Sequence, residues 1–297
     1  MRCPDMEEPK HPMDKWFEEK LYPGYRTKLE IDKVLYEGNS EHQKLLLFEN
    51  SLYGRVLALN DIIQTTERDE FIYHEMLTHP PILAHGAVRK VLIIGGGDGG
   101  MLEEVLKHRG ITKVTMVEID GDVVQFSKEH LRFICNDAFE DERLDLVIAD
   151  GIDFVEKSDE RYDVIIVDSS DPVGPAAVLF TQRFYTGAKR CLAQGGVLVT
   201  QNGVPFHQGQ ELAGTIACLR PLFRDTSCYV SPVPIYIGGF MAFAWGTDNT
   251  TLRQTPPERL QERFRAAGLD TRHYSPEVHF AAFTLPPWVR ALMEPKK

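Results

Sequence analysis

The period of the apolar positions changes twice along the chain. From about Arg26 to Glu67 apolar and polar residues alternate in short runs, at 27–36, 44–48, 55–59 and 62–65, punctuated by Asn50, Gly54 and the Asn60-Asp61 pair. A period of two broken by turn residues predicts a small antiparallel β unit. From Asp69 the spacing turns helical through Phe71, Ile72, Tyr73, Met76 and Leu77. The Pro80-Pro81 pair predicts the end of that helix, because proline lacks the N–H that the next helical bond requires. Beyond it, apolar runs at 91–94, 113–117, 144–148, 164–167 and 196–200 alternate with helical stretches. That order predicts a doubly wound α/β sheet, Rossmann-like, over residues 69–297, preceded by an N-terminal β-strand domain over residues 1–68.

The run at 91–94 leads into Gly95-Gly96-Gly97-Asp98-Gly99-Gly100. A glycine loop between strand and helix normally turns free N–H groups and a helix dipole toward an anion. Asp98 would repel one, so the loop suits a ligand that resembles a nucleotide cofactor and presents a cationic amine at this point. Three readings compete. Gly95, Gly97 and Gly100 fit the dinucleotide fingerprint, with Glu118 about 20 residues further on for the ribose hydroxyls. Adenosylmethionine-dependent folds use the same arrangement. The third reading is structural, the glycines merely permitting close packing of helix on strand.

Two later strand ends separate these readings. The runs at 144–148 and 164–167 lead into Asp150-Gly151 and into Asp168-Ser169-Ser170-Asp171. Ligands of open α/β sheets sit beyond the carboxyl ends of the strands, so Asp98, Glu118, Asp150, Asp168 and Asp171 should converge on one crevice. Each alone could be a helix cap or an Asx turn. Together they call for a compensating cation. Metal fits less well, since His74 and His79 are five apart and do not share a helix face as an HExxH pair does. A polyamine fits better.

Bulk properties agree. Forty-four acidic against 33 basic residues give a net charge of -11, which disfavours nucleic acid or an anionic membrane as partner. Five scattered cysteines without a CxxC pair argue against a disulfide framework or a zinc site and for a reducing cytoplasm. The N-terminus has no apolar signal region, and no run approaches the ~18 apolar residues of a membrane span.

At this point the chain resembles the spermidine synthase family, the polyamine aminopropyltransferases, in their bacterial form. The resemblance rests on Tyr53-Gly54-Arg55-Val56-Leu57, Gln64-Thr65-Thr66-Glu67-Arg68-Asp69-Glu70-Phe71 and Tyr73-His74-Glu75-Met76. It continues through the glycine loop, Glu118-Ile119-Asp120, Asp168-Ser169-Ser170-Asp171-Pro172 with Gly174-Pro175, and His279-Phe280-Ala281-Ala282-Phe283. It implies transfer of an aminopropyl group from decarboxylated S-adenosylmethionine, a co-substrate rather than a prosthetic group, to putrescine, with a homodimer or homotetramer as the assembly.

The resemblance also implies roles. Asp98 would pair with the donor's ammonium; Gln43, Glu118, Asp150 and Gly151 would hold the methylthioadenosine part, and Pro175 the adenine side. Asp168, assisted by Tyr73, would accept the proton. His74, Gln64, Ser169, Ser170, Asp171 and Tyr236 would line the acceptor site. The Pro- and Gly-rich stretch 171–180 is expected to cover the substrates. Two positions depart from the family: Ile235 where a threonine is usual, and Ala177 where a glutamate is common. They leave putrescine, cadaverine, agmatine and spermidine open as acceptors. A small-molecule methyltransferase and a polyamine-binding module are the rivals from other classes.

Overall fold

The structure, a computed structural model, describes residues 15–170 and 174–295. Two hydrogen-bonded strands, β1 (Trp16–Glu19) and β2 (Thr27–Glu30), come first, followed by an antiparallel four-stranded sheet in sequential order: β3 (Lys33–Asn39), β4 (Lys44–Asn50), β5 (Gly54–Leu59) and β6 (Ile62–Thr66). The run expected at 27–36 is therefore two strands. The chain changes sheets between Ile31, whose N–H donates to the Lys15 carbonyl, and Asp32, whose N–H donates to the Glu49 carbonyl, and there the alternation breaks at the polar pair Asp32-Lys33. The sheet buries both faces: Leu46, Phe48, Val56 and Ala58 join the main core, and Leu45, Leu47 and Leu57 pack against Val123, Phe126 and Leu131.

Helix α1 (Glu70–His85) runs straight through Pro80 and Pro81, where the sequence predicted its end. Pro80 has no N–H for the Met76 carbonyl one turn back, and that carbonyl instead accepts the Tyr229 hydroxyl at 2.8 Å. A partner from a distant strand thus repairs the defect, and Gly86, left-handed at φ 76°, ends the helix with its N–H on the Ile82 carbonyl. From Tyr73 to Ala84 every residue of α1 is buried, so neighbouring elements must satisfy its polar side chains. Glu75 does so by accepting the backbone N–H groups of Arg272, His273 and Tyr274 at 2.7–2.8 Å.

The second sheet follows: β7 (Lys90–Gly95), α2 (Gly100–Leu106), β8 (Lys113–Glu118), α3 (Gly121–His130), α4 (Arg132–Cys135), β9 (Leu144–Ile148), α5 (Gly151–Lys157) and β10 (Tyr162–Asp168). A 3-10 helix at Gly174–Phe180, then α6 (Gln182–Arg190), β11 (Leu192–Gln201), α7 (Pro205–Leu219), β12 (Asp225–Ser231) and β13 (Met241–Thr247) complete it. Helices α8 (Pro257–Ala267), α9 (Pro276–Ala282) and α10 (Pro287–Met293) close the chain. Strand order is β12-β13-β11-β10-β7-β8-β9, parallel from β11 to β9, with β13 antiparallel to both neighbours. The fold is thus the expected Rossmann-like α/β one with a small N-terminal antiparallel domain, and β12 and β13 add to the five runs read from sequence.

Val91 and Ile93 of β7 point into one core layer, Leu92 and Ile94 into the other, which is why the strand reads as a continuous apolar run. The order reverses at β7: β8 and β9 lie to one side, β10 and β11 to the other. The carboxyl ends of β7 and β10 are therefore neighbours at a topological switch point, the usual place for a ligand crevice.

Replacing Tyr229 by Phe leaves the Met76 carbonyl buried without a donor and should cost about 1–3 kcal/mol in urea unfolding. Pro80→Ala restores an N–H at the missing rung, so adding it to Tyr229→Phe should recover part of the loss.

Candidate active site

At the switch point Gly95 has φ 84°, and a Cβ there would sit 2.1 Å from the Asp168 carbonyl oxygen. Only glycine lets the two strand ends meet, and Gly96 N–H then donates to that carbonyl at 2.9 Å. Asp98 is held by its Oδ1, which accepts the Gly100 N–H at 2.9 Å. The loop, the strand ends and the N-terminal domain enclose a cavity of about 230 Å³.

Asp98, Glu118, Asp150, Gly151 and Asp168 all line this cavity, as do Gln43, Gln64, Tyr73, His74, Ser169, Ser170 and Tyr236. Of the residues picked out by sequence, Asp171 lies outside the described residues, and Pro175 falls in the first turn of the 3-10 helix at Gly174–Phe180. Ile235 lines the cavity while remaining 4% exposed, its backbone N–H held by Asp69 Oδ2 at 2.7 Å. Ala177 is exposed and off the cavity wall, which Ala176, Val178 and Leu179 form instead.

Tyr73 donates to Asp168 Oδ1 at 2.5 Å. Burial, and then the charge of Asp98, push the Asp168 carboxyl up to about 6 against the pull of His74 and the Tyr73 hydrogen bond. Burial and the neighbouring carboxylate push the Tyr73 hydroxyl well above its usual range, so it remains the donor. Glu118 ends β8 and accepts the Asp120 N–H at 3.0 Å; burial pushes its carboxyl up to about 7. Asp120 in turn caps α3 through the N–H groups of Asp122 and Val123, and its Oδ2 accepts Ser40 Oγ at 2.5 Å and Gln43 Nε2 at 3.1 Å. Gln43 is thereby fixed to the second domain. Asp150 caps α5 by accepting the Ile152 N–H at 2.9 Å, so its capping and cavity-lining roles coexist.

His74 is placed differently from a free amine contact. Its Nδ1 lies 2.7 Å from Glu70 Oε2 and its Nε2 3.4 Å from Asp98 Oδ2. Burial opposes charge on this ring, but Asp98 and Glu70 outweigh it and hold the imidazolium well above the usual histidine range. The acid cluster thus already contains one internal cation. One atom each of His74, Asp98 and Asp168 lie within 4.8 Å of one another, a spacing that a metal ion would accept. To ligate through His74, an ion there would have to displace one of the protons that Asp98 and Glu70 hold on the ring.

Sequence reading passed over several wall residues. Gln201, one residue past the run at 196–200, donates to the carbonyls of Ser169 and Ser170 at 2.9 and 3.4 Å and shapes the loop after β10. Tyr22 and Tyr25 enter from the β1–β2 connection and stack with His207 at 4.5 and 5.7 Å. That connection has no periodicity, so no sequence signal pointed to it. Tyr236 donates to the Gln64 carbonyl, joining two residues read separately.

Residues 70–255 match a family model described as the spermine/spermidine synthase domain, and residues 15–67 one described as the spermidine synthase tetramerisation domain. The chain is 56% identical over 273 residues to polyamine aminopropyltransferase 1 of Pseudomonas aeruginosa, covering 92% of this chain and 96% of that protein. It is 53% identical over 277 residues to a polyamine aminopropyltransferase of Ruegeria sp., covering 93% and 98%. Among solved structures it resembles a spermidine synthase in complex with the transition state analogue AdoDATO, at TM-score 0.89 and 34% identity over 97% of this chain and 98% of that one. The spermidine synthase from Thermotoga maritima gives TM-score 0.86 and 33% identity over 97% of both chains.

Because the Asp168 carboxyl titrates near 6 in the fold and near 3.9 in the unfolded chain, its ionisation costs folding energy as pH rises from 4 through 6. Asp168→Asn should therefore be more stable than the parent at pH 8, by on the order of 2 kcal/mol, with the gap closing near pH 4. Thermal unfolding of the ligand-free proteins across that range checks the sign.

Proposed function

We propose that this chain, a member of the spermine/spermidine synthase family, transfers the aminopropyl group of decarboxylated S-adenosylmethionine to putrescine, giving spermidine and methylthioadenosine. The observation that carries the reading is that Asp98 in the glycine loop, Glu118 at the end of β8 and the Tyr73-bound Asp168 at the end of β10 face one cavity. A glycine loop with an acid in it favours a donor that has lost its carboxylate and kept its ammonium, and it repels ordinary adenosylmethionine.

In this reading Glu118 takes the ribose hydroxyls, while Gln43, Asp150, Gly151 and Pro175 bound the rest of the methylthioadenosine part. Gln64, Tyr236, Ser169, Ser170 and Asp171 orient the acceptor, and His74, on the same cavity wall, stands beside Asp98. The amine nitrogen forms a bond to the carbon beside the sulfonium, and the carbon–sulfur bond breaks with its electron pair passing to sulfur. A free alkyl ammonium holds its proton up to a pH of ~10, so that proton must leave first. Asp168 receives it, with Tyr73 fixing the direction of its lone pair. Alignment of nitrogen, carbon and sulfur supplies much of the rate, since the sulfonium is already a good leaving group.

Ile235 fills acceptor-side space with a branched apolar group where a hydroxyl is common, so its effect is on acceptor length rather than chemistry. The assembly we infer is a homotetramer, following the description of the family model at residues 15–67, with a homodimer as the alternative. A reducing cytoplasm is its inferred setting, in keeping with the free thiols of Cys135, Cys191, Cys218 and Cys228.

The test is methylthioadenosine release from the decarboxylated donor with putrescine, cadaverine, agmatine or spermidine in turn. Release with putrescine is expected; product only from ordinary adenosylmethionine would make the protein a methyltransferase. Asp168→Asn should lower turnover by about 10²–10⁴-fold with polyamine binding retained. Glu118→Gln should instead raise the donor KM by roughly tenfold or more, the loss of a hydrogen bond to a charged group.

A further inference from the structure

Glu70 stands in the first turn of α1 and does not line the cavity. Its Oε2 faces His74 Nδ1 at 2.7 Å, and the opposite ring nitrogen faces Asp98 Oδ2 at 3.4 Å. The ring is 2% exposed, so water cannot serve either nitrogen in place of a carboxylate. A neutral imidazole has one N–H and would turn a lone pair toward one of the two acids; only the imidazolium donates to both. Packing fixes this arrangement, because a Cβ on Gly100 would come within 2.3 Å of the ring.

Resting on the function proposed above, we propose that Glu70 is a positioning residue for the transfer, keeping His74 as the cation that lets Asp98 and Asp168 both serve as carboxylates. One atom of each of these two acids lies within 4.8 Å of the other and of the His74 ring. Like charges at that spacing drive one carboxylate to take up a proton unless a cation stands between them. The other groups facing Asp168 are the neutral hydroxyl of Tyr73, with Tyr236 behind it, and the acid Glu118, so His74 is the one cation facing Asp168 among the described residues. Glu70 is the partner that His74 does not share with the substrates. When the donor's ammonium approaches Asp98, Asp98 has its own new cation, and Glu70 alone then holds the charge on the ring.

The test is the pH dependence of kcat/KM for the full-length enzyme and its Glu70→Gln variant with the decarboxylated donor and putrescine. If His74 loses its proton with Glu70, Asp168 faces Asp98 unshielded. The acidic limb should then move up by about 0.5–1 pH unit, while the plateau above it changes only a few-fold. Glu70→Asp should lie between the two. An acidic limb that stays in place or moves down overturns the inference, because loss of Glu70's negative charge by itself can only favour ionised Asp168.

A second readout needs no turnover. Nitrogen-15 NMR of the His74 ring should report both nitrogens protonated at pH 8 in the parent and a neutral ring in Glu70→Gln. A neutral His74 in the parent overturns the inference even if the enzyme is active. If the parent fails to turn over, the functional reading falls, and the NMR result still decides the role of Glu70.

Discussion

One buried helix sets the terms for the rest of this molecule. From Tyr73 to Ala84 α1 has no solvent-facing side, yet it carries Tyr73, His74, Glu75, Thr78 and His79 into the interior. Each polar group needs a partner, since an orphaned one costs about 1–3 kcal/mol, and each of them reaches another element. Tyr73 reaches the end of β10, His74 the glycine loop, Glu75 the backbone at 272–274, and Thr78 the sulfur of Met101. His79 meets His108 at 3.0 Å, both rings held neutral by burial. The site's geometry is thus a by-product of burying α1. The cavity-facing groups are those whose partners lie at the sheet's switch point, and the rest tie the same helix to the back of the domain.

The electrostatics of the cavity follow from this arrangement. Strand ends bring acids together because each parallel strand finishes on the same edge, and β7, β8, β9 and β10 are each followed within a few residues by one. Burial raises two of them, Asp168 and Glu118, by similar amounts but for different uses. Glu118 is held by backbone N–H groups, whereas Asp168 is held by a phenol; in the function proposed above the first meets neutral hydroxyls and the second an ammonium. A dinucleotide site would need the loop's N–H groups free for phosphate, but the Gly100 N–H is already spent on Asp98. The loop therefore repels anions by its side chain and also withholds a donor from them.

Much of this was legible in the sequence because it depends on covalent order. Apolar runs located the strands, and the residue after each run located the acids; five glycines in six positions located the switch point. The family resemblance supplied Gln43, Gln64 and Tyr236, which no spacing rule would have joined to Asp98. Contacts between distant segments escaped. The Pro80-Pro81 pair read as a helix end because the rescuing hydroxyl is Tyr229, 153 residues away. The local His74–Glu70 pair escaped for another reason: i−4 is the ordinary spacing of any helical pair, and only burial makes this one decisive. Tyr22 and Tyr25 sit in a connection without pattern, and the stack that draws them to the cavity is formed with His207.

The Glu75 clamp bears on how the chain is made. Glu75 accepts only main-chain N–H groups, so it fixes the path of residues 272–274 without regard to which side chains they carry. On a ribosome the strands, the glycine loop and α1 all emerge well before those donors do. Until then α1 holds a carboxylate for which the interior has no answer, one position after His74. The helix that carries Tyr73 can settle into its final place only when about nine-tenths of the chain has been synthesised. Vectorial synthesis therefore delays completion of the acid-lined cavity until the segment that supports it from behind is present.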